Sequence, residues 1–408
     1  MLLDQLTGVP VPSRWRPGYM LSTMKLSSAL YESRSAALAG AVLLSCLATA
    51  HAQIPLDRVL KRITVPSTAT MRGLVDIVGF PQTAEQMAFI GDLVEKLERT
   101  EIDANRQRFG LSDQTGLAAA WCPHDDYVIS ARVYAHVQRY MKAKTVILVG
   151  NAHWAQSFGI RGKLIFDDFA TWRGPYTPVR VSALRGQILK RLQSASYVVN
   201  RQVVDTEHSL EGLIPYLQYY NRNVEIVPIL VPLMTWDDSM RVGQELASVV
   251  AALMKENGWI LGRDIAVLCS GDGQHYGDYG WSYYNYHPYG VDAEGYRKAL
   301  ALDRHLIDTY LSGELRSDRL QALSAELIDQ QDIRNYKVTW CGRFAVPFGL
   351  NFAGMLARAT EGRSLNGLLL RTGSSISDQW LPLERFKLGL TGDANLHHFV
   401  TYAAIGYR

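Results

Sequence analysis

The feature of the sequence that most restricts the fold is an alternation of short apolar segments with longer amphipathic ones. Apolar runs that predict buried strands lie at residues 117–122, 145–149, 224–231 and 265–270. Between them, segments such as 236–255 repeat apolar residues at helical spacing. Strands that alternate with helices favour an α/β sheet covered by helices on both faces. We therefore predict an α/β fold.

The remaining segments extend this pattern without an internal linker or repeat. A helix with charges on one face is predicted from 83 to about 108, as an N-terminal helical extension. Residues 205–211 begin another helix, and the closing segments predict two further strands. We therefore expect residues 53–408 to form a single domain. The other predicted helices are 131–141, 293–311 and 317–330, and the later strands are 367–371 and 399–404.

The first 52 residues have the features of an export signal. An apolar stretch at 36–44 follows positive residues, and Ala50-His51-Ala52 precedes an expected cut before Gln53. Translation starting at Met20 or Met24 would give a signal of ordinary length. The stretch is too short to span a bilayer comfortably, so we expect no membrane span after cleavage. We predict a periplasmic or secreted protein; a lipoprotein joined through Cys46 and a retained membrane anchor are the alternatives.

The charge of the chain argues against nucleic-acid binding. The formal charge is +3, and the segment 1–52 accounts for +2 of it, which leaves about +1 for the rest (3 − 2). A nucleic-acid footprint needs a concentrated basic face. We therefore expect no nucleic-acid partner.

Polar residues able to do chemistry follow three of the predicted strands. His124 comes after the first strand, His153 after the second, and Asp272 and His275 after the strand at 265–270. Because the ligand crevice of an open α/β sheet lies beyond the carboxyl ends of its strands, these side chains are expected to meet at one edge.

Two imidazoles and a thiolate suit a late first-row divalent metal with coordination positions left open. Cys341 stands just before a predicted helix at 345–359, where free backbone N–H groups and the helix dipole would stabilise its thiolate. Only Cys122, Cys269 and Cys341 remain after signal cleavage, so at least one thiol is unpaired. His124, His153 and Cys341 are the candidate ligands; hydrogen-bonded structural histidines and an inert buried cysteine are the competing explanation.

Other residues fit supporting roles. His275 beside Asp272 is a candidate general base, although Asp272 also suits an ordinary turn. His208, with Glu207 and Glu211, could orient a ligand histidine, and helix capping explains these acids equally well. The aromatic stretch from Tyr276 to Tyr289 predicts a wall for an aromatic ligand or a surface that packs between subunits.

An ordered set of short motifs resembles the Memo family, protein B of the AmmeMemoRadiSam system, which is related to the class III extradiol ring-cleaving dioxygenases. No single motif is specific, but the set occurs in the family's order from about residue 71 onward. The motifs are Cys122-Pro-His124-Asp-Asp-Tyr127, Val149-Gly-Asn-Ala-His153, Glu207-His208-Ser-Leu-Glu211, Ser270-Gly-Asp272-Gly-Gln-His275, Cys341-Gly-Arg343 and Thr401-Tyr-Ala-Ala404.

The resemblance implies a three-layer α/β/α sandwich with a mostly parallel or mixed central sheet. It also implies that His124, His153 and Cys341 bind the metal, with Cys341 in place of the dioxygenases' glutamate. His275 matches the family histidine that acts as acid and base on a catechol hydroxyl, and Asp272 and His208 match pocket positions.

The sequence departs from the family at the first motif. Asp125 and Asp126 replace the usual Ala-Gly, which would add a carboxylate ligand, shift the metal preference or cap the next helix. The second motif reads Asn151-Ala152-His153 where the family commonly has Pro-Ser-His or Pro-Asn-His. An early Gly-Ser-Trp-Tyr segment of the family has no clear counterpart here.

Together these features predict an exported, oxygen-using enzyme that binds Fe(II), with copper or zinc as alternative metals. Its substrate would be an aromatic molecule such as a phenol. His208, Glu211, Asp125 and Tyr276 are expected to support the ligands or the substrate. Two other functions stay open: a non-catalytic iron- or copper-binding redox protein, and a metal-assisted hydrolase in which His275 activates water.

Overall fold

The computed structural model describes residues 54–279 and 285–408. The predicted export signal lies outside these residues, as do Trp281, Tyr283 and Tyr284 of the aromatic stretch. In the described part of the chain, no helix combines the length and apolar character that crossing a bilayer requires.

A mixed sheet organises the described residues. Its central strands, β8, β3, β9 and β2 in that spatial order, run parallel to one another, and β13 joins β2 in antiparallel orientation. The full order is β1-β5-β6-β8-β3-β9-β2-β13-β12-β11, while β4, β7 and β10 pair off this path. The strands are β1 Met71–Arg72, β2 Ala119–Cys122, β3 Thr145–Asn151, β4 Leu164–Phe166, β5 Thr171–Trp172, β6 Val179–Val181, β7 Tyr197–Val199, β8 Glu225–Val231, β9 Ile265–Ser270, β10 His275–Gly277, β11 Gly313–Glu314, β12 Asn366–Ser374 and β13 His398–Tyr407.

Helices cover both faces of this sheet. Helices α2, α3 and α6 pack on one face, and α7, α9 and α10 pack on the other. The helices are α1 Leu56–Leu60, α2 Ala84–Phe109, α3 Tyr127–Gln138, α4 Leu184–Leu189, α5 Arg201–Asp205, α6 Ile214–Tyr220, α7 Trp236–Asn257, α8 Ala293–Leu306, α9 Ser317–Leu327 and α10 Ala345–Glu361. The predicted three-layer α/β/α architecture is confirmed.

The strand residues show why the layers form. In β3, Val146 and Leu148 face the core with α2 and α3, whereas Ile147 and Val149 face the core with α7 and α10. Successive side chains of a strand point to opposite faces, so a strand covered on both faces must be apolar throughout. The continuous apolar runs of the sequence are therefore the central strands.

Local signals set the ends of the long helices. Thr83 accepts a hydrogen bond from the backbone N–H of Gln86, and the Gln86 side chain accepts one from the backbone N–H of Thr83, which forms a capping box at the start of α2. Gly110, with a φ of 59°, ends this helix in the left-handed conformation that glycine tolerates best. The predicted helices at 83–108 and 236–255 are confirmed within two residues.

The fold brings three loops to one edge of the sheet. Strands β2, β9 and β3 are parallel neighbours, so Cys122, Ser270 and Asn151 all end at the same side. The loops that carry His124, His153 and His275 start from these ends. A short 3-10 turn, Cys341–Arg343, lies against them just before α10.

Candidate metal centre

The three predicted ligand residues lie together at the carboxyl edge of the sheet. The Nε2 atom of His153 is 2.8 Å from the Sγ atom of Cys341, and the Nε2 atom of His124 is 3.4 Å from the same sulfur. One ligand atom from each residue falls within 4.8 Å of the others. Three residues from distant parts of the chain, up to 217 positions apart, thus present donors to one point.

Hydrogen bonds fix the orientation of the His124 ring. Its Nδ1 atom is 2.9 Å from the Ser270 hydroxyl, and that hydroxyl donates its own proton to the Ser209 carbonyl at 2.5 Å. Since the Ser270 proton is committed, the hydroxyl oxygen must accept from Nδ1–H. The His124 ring therefore turns its Nε2 atom toward the shared point.

A buried carboxylate orients His153 in the same way. Glu207 accepts from the His153 ring Nδ1 at 2.8 Å and from the His153 backbone N–H at 2.7 Å. Burial alone would raise the pKa of Glu207, but the charge and hydrogen bond of His153 outweigh it, and the pKa falls to about 2. An ionised carboxylate behind a histidine is the arrangement that holds metal-ligating imidazoles in position.

The Cys341 sulfur is held as a thiolate. Burial alone would raise the pKa of this thiol, but the charges and hydrogen bonds of His153 and His124 hold it well below its usual range. The Asn151 side-chain amide also donates to the sulfur at 3.3 Å. The half-buried thiol is free, as are the buried Cys122 and Cys269.

Two backbone N–H groups of the turn at Cys341 donate to carbonyl groups and not to the sulfur. The backbone N–H of Cys341 donates to the Gly273 carbonyl, and that of Gly342 donates to the Asp272 carbonyl. These bonds form because the turn packs against Gly271, where an added Cβ would lie 2.5 Å from the Gly342 Cα atom. These two N–H groups therefore hold the turn in place, and the side chains of His153, His124 and Asn151 stabilise the charge on the sulfur.

Asp272 and His275 complete the cluster. One Asp272 oxygen accepts from the His124 backbone N–H at 2.9 Å, and the other lies 3.3 Å from His124 Nε2 and 3.9 Å from His275 Nε2. Burial alone would lower the pKa of His275, but hydrogen bonds to Asp272 and Cys341 raise it to about 9. His275 thus holds a proton beside the three donors.

A cavity of about 570 Å³ opens onto the cluster. His124, His153, Cys341, Asp272 and His275 line it together. His208 also lines it and stacks on the His153 ring, with centroids 5.1 Å apart. Burial lowers the pKa of His208 to about 3, so the stacked ring is neutral.

Two of the expected supporting residues, Glu211 and Tyr276, lie away from the cavity, and a third, Asp125, lines it. Glu211 forms a buried ion pair with Arg72 at 2.7 Å, away from the cavity. Tyr276 donates to the Gly290 carbonyl and stacks on Phe399, also away from it. Asp125 lines the cavity but lies outside the group of three converging donors.

Asp125 and Asp126 join the loops around the cavity. The Tyr402 hydroxyl donates to Asp125 at 2.6 Å, and the Thr391 backbone N–H donates to Asp126 at 2.5 Å. Burial, followed by the charge of Asp272, raises the pKa of Asp125 to about 6. The expected helix cap is wrong, because Asp126 stands at the N-cap of α3 without a side-chain capping hydrogen bond. The two acids instead anchor strand β13 and the loop before it.

Sequence reasoning did not single out Ser270 or Asn151, and it set Glu207 only beside His208. Both Asn151 and Glu207 stand inside motifs that already contain a cluster histidine. Their position in these motifs could have identified them as neighbours of the ligands. No such pattern identifies Ser270 as the partner of His124, because that contact depends on how β9 lies beside the loop that follows β2.

The donor set fits a metal ion. Ligand bonds of about 2.0–2.3 Å place neighbouring ligand atoms roughly 3–4 Å apart. The separation of His124 Nε2 and Cys341 Sγ agrees with this value, and the shorter contact of His153 is that of a hydrogen bond to the thiolate. Two oriented imidazoles and a thiolate suit iron, copper or zinc.

Comparisons with known proteins add a family assignment to this geometry. A family model described as "Memo-like protein" matches residues 93–367. A MEMO1 family protein of Pyrobaculum arsenaticum is 29% identical over 162 residues, which cover 38% of this chain and 52% of that protein. A MEMO1 family protein of Methanosarcina barkeri is 28% identical over 165 residues, covering 40% and 56%. The chain spans about half the length of these curated relatives.

Among solved structures, an uncharacterized Escherichia coli K12 protein, JW3007, matches with 13% identity and a TM-score of 0.37, covering 69% of this chain and 98% of that one. The match to the Memo-like family model, over residues 93–367, includes His124, His153, Asp272, His275 and Cys341.

Proposed function

This chain belongs to the Memo-like protein family, which is related to the class III extradiol dioxygenases. From that membership we propose that it is an Fe(II)-dependent enzyme that uses O₂ to oxidise or cleave a phenolic substrate. The observation that carries the proposal is the convergence of His124, His153 and Cys341 at the floor of an open cavity. His275 stands beside the same point.

Iron bound by these three residues would supply adjacent coordination positions for an electron-rich phenolate and for oxygen. The chain's own residues do the rest. Glu207 and Ser270 keep the Nε2 atoms of His153 and His124 directed at the site. His275 exchanges a proton with the substrate hydroxyl, and Asp272 holds the His275 ring in place.

Oxygen uptake tests this proposal. The protein would be reconstituted with Fe(II) under anaerobic conditions and then mixed with oxygen and a panel of catechols. We expect substrate-dependent uptake that His275→Gln lowers by roughly 10²–10⁴-fold without loss of iron. Iron bound at one equivalent, with no uptake on any catechol, would refute the dioxygenase function.

The thiolate supports a second candidate, a non-catalytic metal or redox protein. A soft sulfur donor also suits Cu(I) and zinc. The hydrogen bond that the Asn151 amide donates to the sulfur helps to stabilise the thiolate charge. Metal analysis of protein purified from its own host separates the two candidates. Stoichiometric iron favours the enzyme, whereas stoichiometric copper or zinc favours the binding protein.

We also propose export to the periplasm or the medium, with small molecules and O₂ as the partners. The support is the signal-like sequence of residues 1–52. Cell fractionation of the full chain and of a form that begins at Gln53 tests it. Equal cytosolic retention of both forms would contradict export.

A further inference from the structure

Two arginines on the wall of the cavity form no ion pair among the described residues, although the charge of one of them, Arg62, acts on Asp76. Arg343 follows Cys341 by two positions, and Arg62 precedes the first strand; both line the cavity. Each guanidinium lies over an aromatic ring, Arg343 over Tyr336 at 3.6 Å and Arg62 over Trp154 at 4.5 Å. A stacked guanidinium keeps its N–H edge available for an acceptor.

Arg343 is held rigidly. Its Nη1 donates to the Trp340 carbonyl at 2.8 Å. Trp340 is itself fixed, because its indole N–H donates to Asp303 at 2.7 Å and its ring packs on Trp121. The position of the guanidinium is therefore set before any ligand arrives, which lowers the entropy lost on binding.

The Nε atom of Arg343 is buried and has no hydrogen-bond partner in the described part of the chain. Arg72 and Arg185 are paired by contrast with acids, Arg72 with Glu211 at 2.7 Å and Arg185 with Asp167. Arg343 lines the cavity without such an ion pair among the described residues, so its charge is available to an acceptor that enters the cavity. A carboxylate or a phosphate matches the fork geometry of a guanidinium.

We propose that the molecule entering this cavity carries an anionic group, a carboxylate or a phosphate, and that Arg343 binds that group with Arg62 as a second contact. The inference rests on the proposed function, since it describes the substrate of the same site. It narrows the substrate from phenols in general to phenols with an acidic substituent.

The acids on the cavity wall do not favour a cationic ligand instead. Asp125 and Asp126 accept hydrogen bonds from Tyr402 and Thr391, and Asp76 accepts from the backbone N–H groups of Val78 and Gly79. Asp272 accepts from the His124 backbone N–H, and Asp393 also lines the cavity. The oxygens of Asp125 and Asp126 are thus occupied by donors of the chain, whereas an anion would pair with two guanidinium groups that form no ion pair among the described residues.

Calorimetry on the metal-free full chain tests the inference without any turnover. The probes are benzoate, phenyl phosphate, benzyl alcohol and benzylamine at constant ionic strength. We expect benzoate or phenyl phosphate to bind at least about tenfold more tightly than the neutral and cationic probes. The tighter of the two anions identifies the group as carboxylate or phosphate.

Variants assign the binding to Arg343. Arg343→Met should weaken anion binding about tenfold or more, and Arg343→Lys should restore only part of it because the planar fork is lost. Arg334→Met is the matched control, since Arg334 lines the same cavity but is exposed and paired with Asp332 at 2.7 Å. If Arg343→Met unfolds, Arg62→Met, predicted to weaken anion binding by a smaller factor, provides the test.

Three results would overturn the inference: equal affinity for the neutral and anionic probes, tighter binding of benzylamine, or equal losses in Arg343→Met and Arg334→Met. Its failure is distinguishable from failure of the proposed function. Oxygen uptake that is equal on neutral and acidic catechols rejects the inference alone, and anion binding without any oxygen uptake rejects the enzyme alone.

Discussion

Two clusters of histidine and acidic side chains in this molecule have similar compositions but different surroundings. One is the candidate metal centre at the carboxyl edge of the sheet. The other is the α2–α3 ion cluster, defined here as Glu98, His136, Arg132 and Arg371. In it, Glu98 lies 3.0 Å from His136 Nε2 and 3.3–3.4 Å from the two arginines.

The difference between the clusters is the source of positive charge. In the α2–α3 ion cluster, two arginines match the buried carboxylate, and Asn105 lies beside the imidazole. At the candidate metal centre, the ion-pair partners of Glu207 and Asp272 within the described residues are histidines, which are needed as donors. No arginine or lysine of the described residues forms an ion pair with these two carboxylates, and the thiolate contacts histidines and an amide instead. Arginines balance the buried negative charge of the α2–α3 ion cluster, which indicates a structural role. The negative charge at the candidate metal centre lacks such a partner and is suited to binding a metal cation.

The largest expected effect is on metal binding in Cys341→Ser. Loss of a partner behind a ligand typically costs about 10–100-fold in metal affinity, so loss of the anionic ligand itself should cost more than about 100-fold. Chelator competition with Fe(II) or zinc measures it. Cys269→Ala, which removes a buried thiol away from the cavity, is the control and should keep full affinity. Unchanged affinity in Cys341→Ser would refute the site.

The opposite pattern is expected for Glu98→Gln. Removing the charge leaves His136 and the two arginines without their buried counter-charge, which should lower the free energy of unfolding by roughly 3 kcal/mol. Urea denaturation measures this loss, and metal affinity should stay at the wild-type value. If Glu98→Gln instead weakens metal binding, the α2–α3 ion cluster is not purely structural and the comparison fails.

Glu207→Gln and Glu211→Gln sharpen the comparison within one loop. Glu207 holds the His153 ring, so its replacement should lower metal affinity by about 10–100-fold. Glu211 pairs with Arg72 instead, so Glu211→Gln should lower stability and leave metal affinity unchanged. Parallel chelator competition and urea denaturation on both variants separate the two roles. Equal metal affinities in the pair would contradict the assignment of Glu207.

The sequence was sufficient for the central part of the fold and for the position of the site. Continuous apolar runs such as 265–270 can only be buried strands between two helical layers, and the residues after them must meet at one edge. The strands from β4 to β7 were missed, because elements of two or three residues at the side of a sheet are too short to show a period.

The sequence was not sufficient for the contacts that distinguish the acids. Glu207 and Glu211 are four residues apart and equally buried, yet one faces His153 and the other faces Arg72. That choice depends on β1, which is only two residues long and carries Arg72. Likewise, the aspartates after His124 gained their partners, Tyr402 and Thr391, from the far end of the chain.

The smallest expected effect is the pH dependence of the α2–α3 ion cluster. Burial alone would raise the pKa of Glu98, but the His136 hydrogen bond and the charges of Arg371, His136 and Arg132 outweigh it, so the pKa lies below the ordinary value of 4.5. The carboxylate then stays ionised to lower pH in the folded chain than in the unfolded one. Its contribution to stability is complete above pH 4.5 and is lost as the pH falls from there through the depressed pKa.

The stability difference between wild type and Glu98→Gln should therefore shrink as the medium is acidified. Urea denaturation of both proteins from about pH 7 to about pH 3 measures that difference. A difference that stays constant or grows on acidification would mean that the folded chain does not hold Glu98 as an anion. The charges of Arg132 and Arg371 would then lack a negative partner in Glu98. The α2–α3 ion cluster could then no longer be contrasted with the metal centre as a cluster whose charges are already balanced.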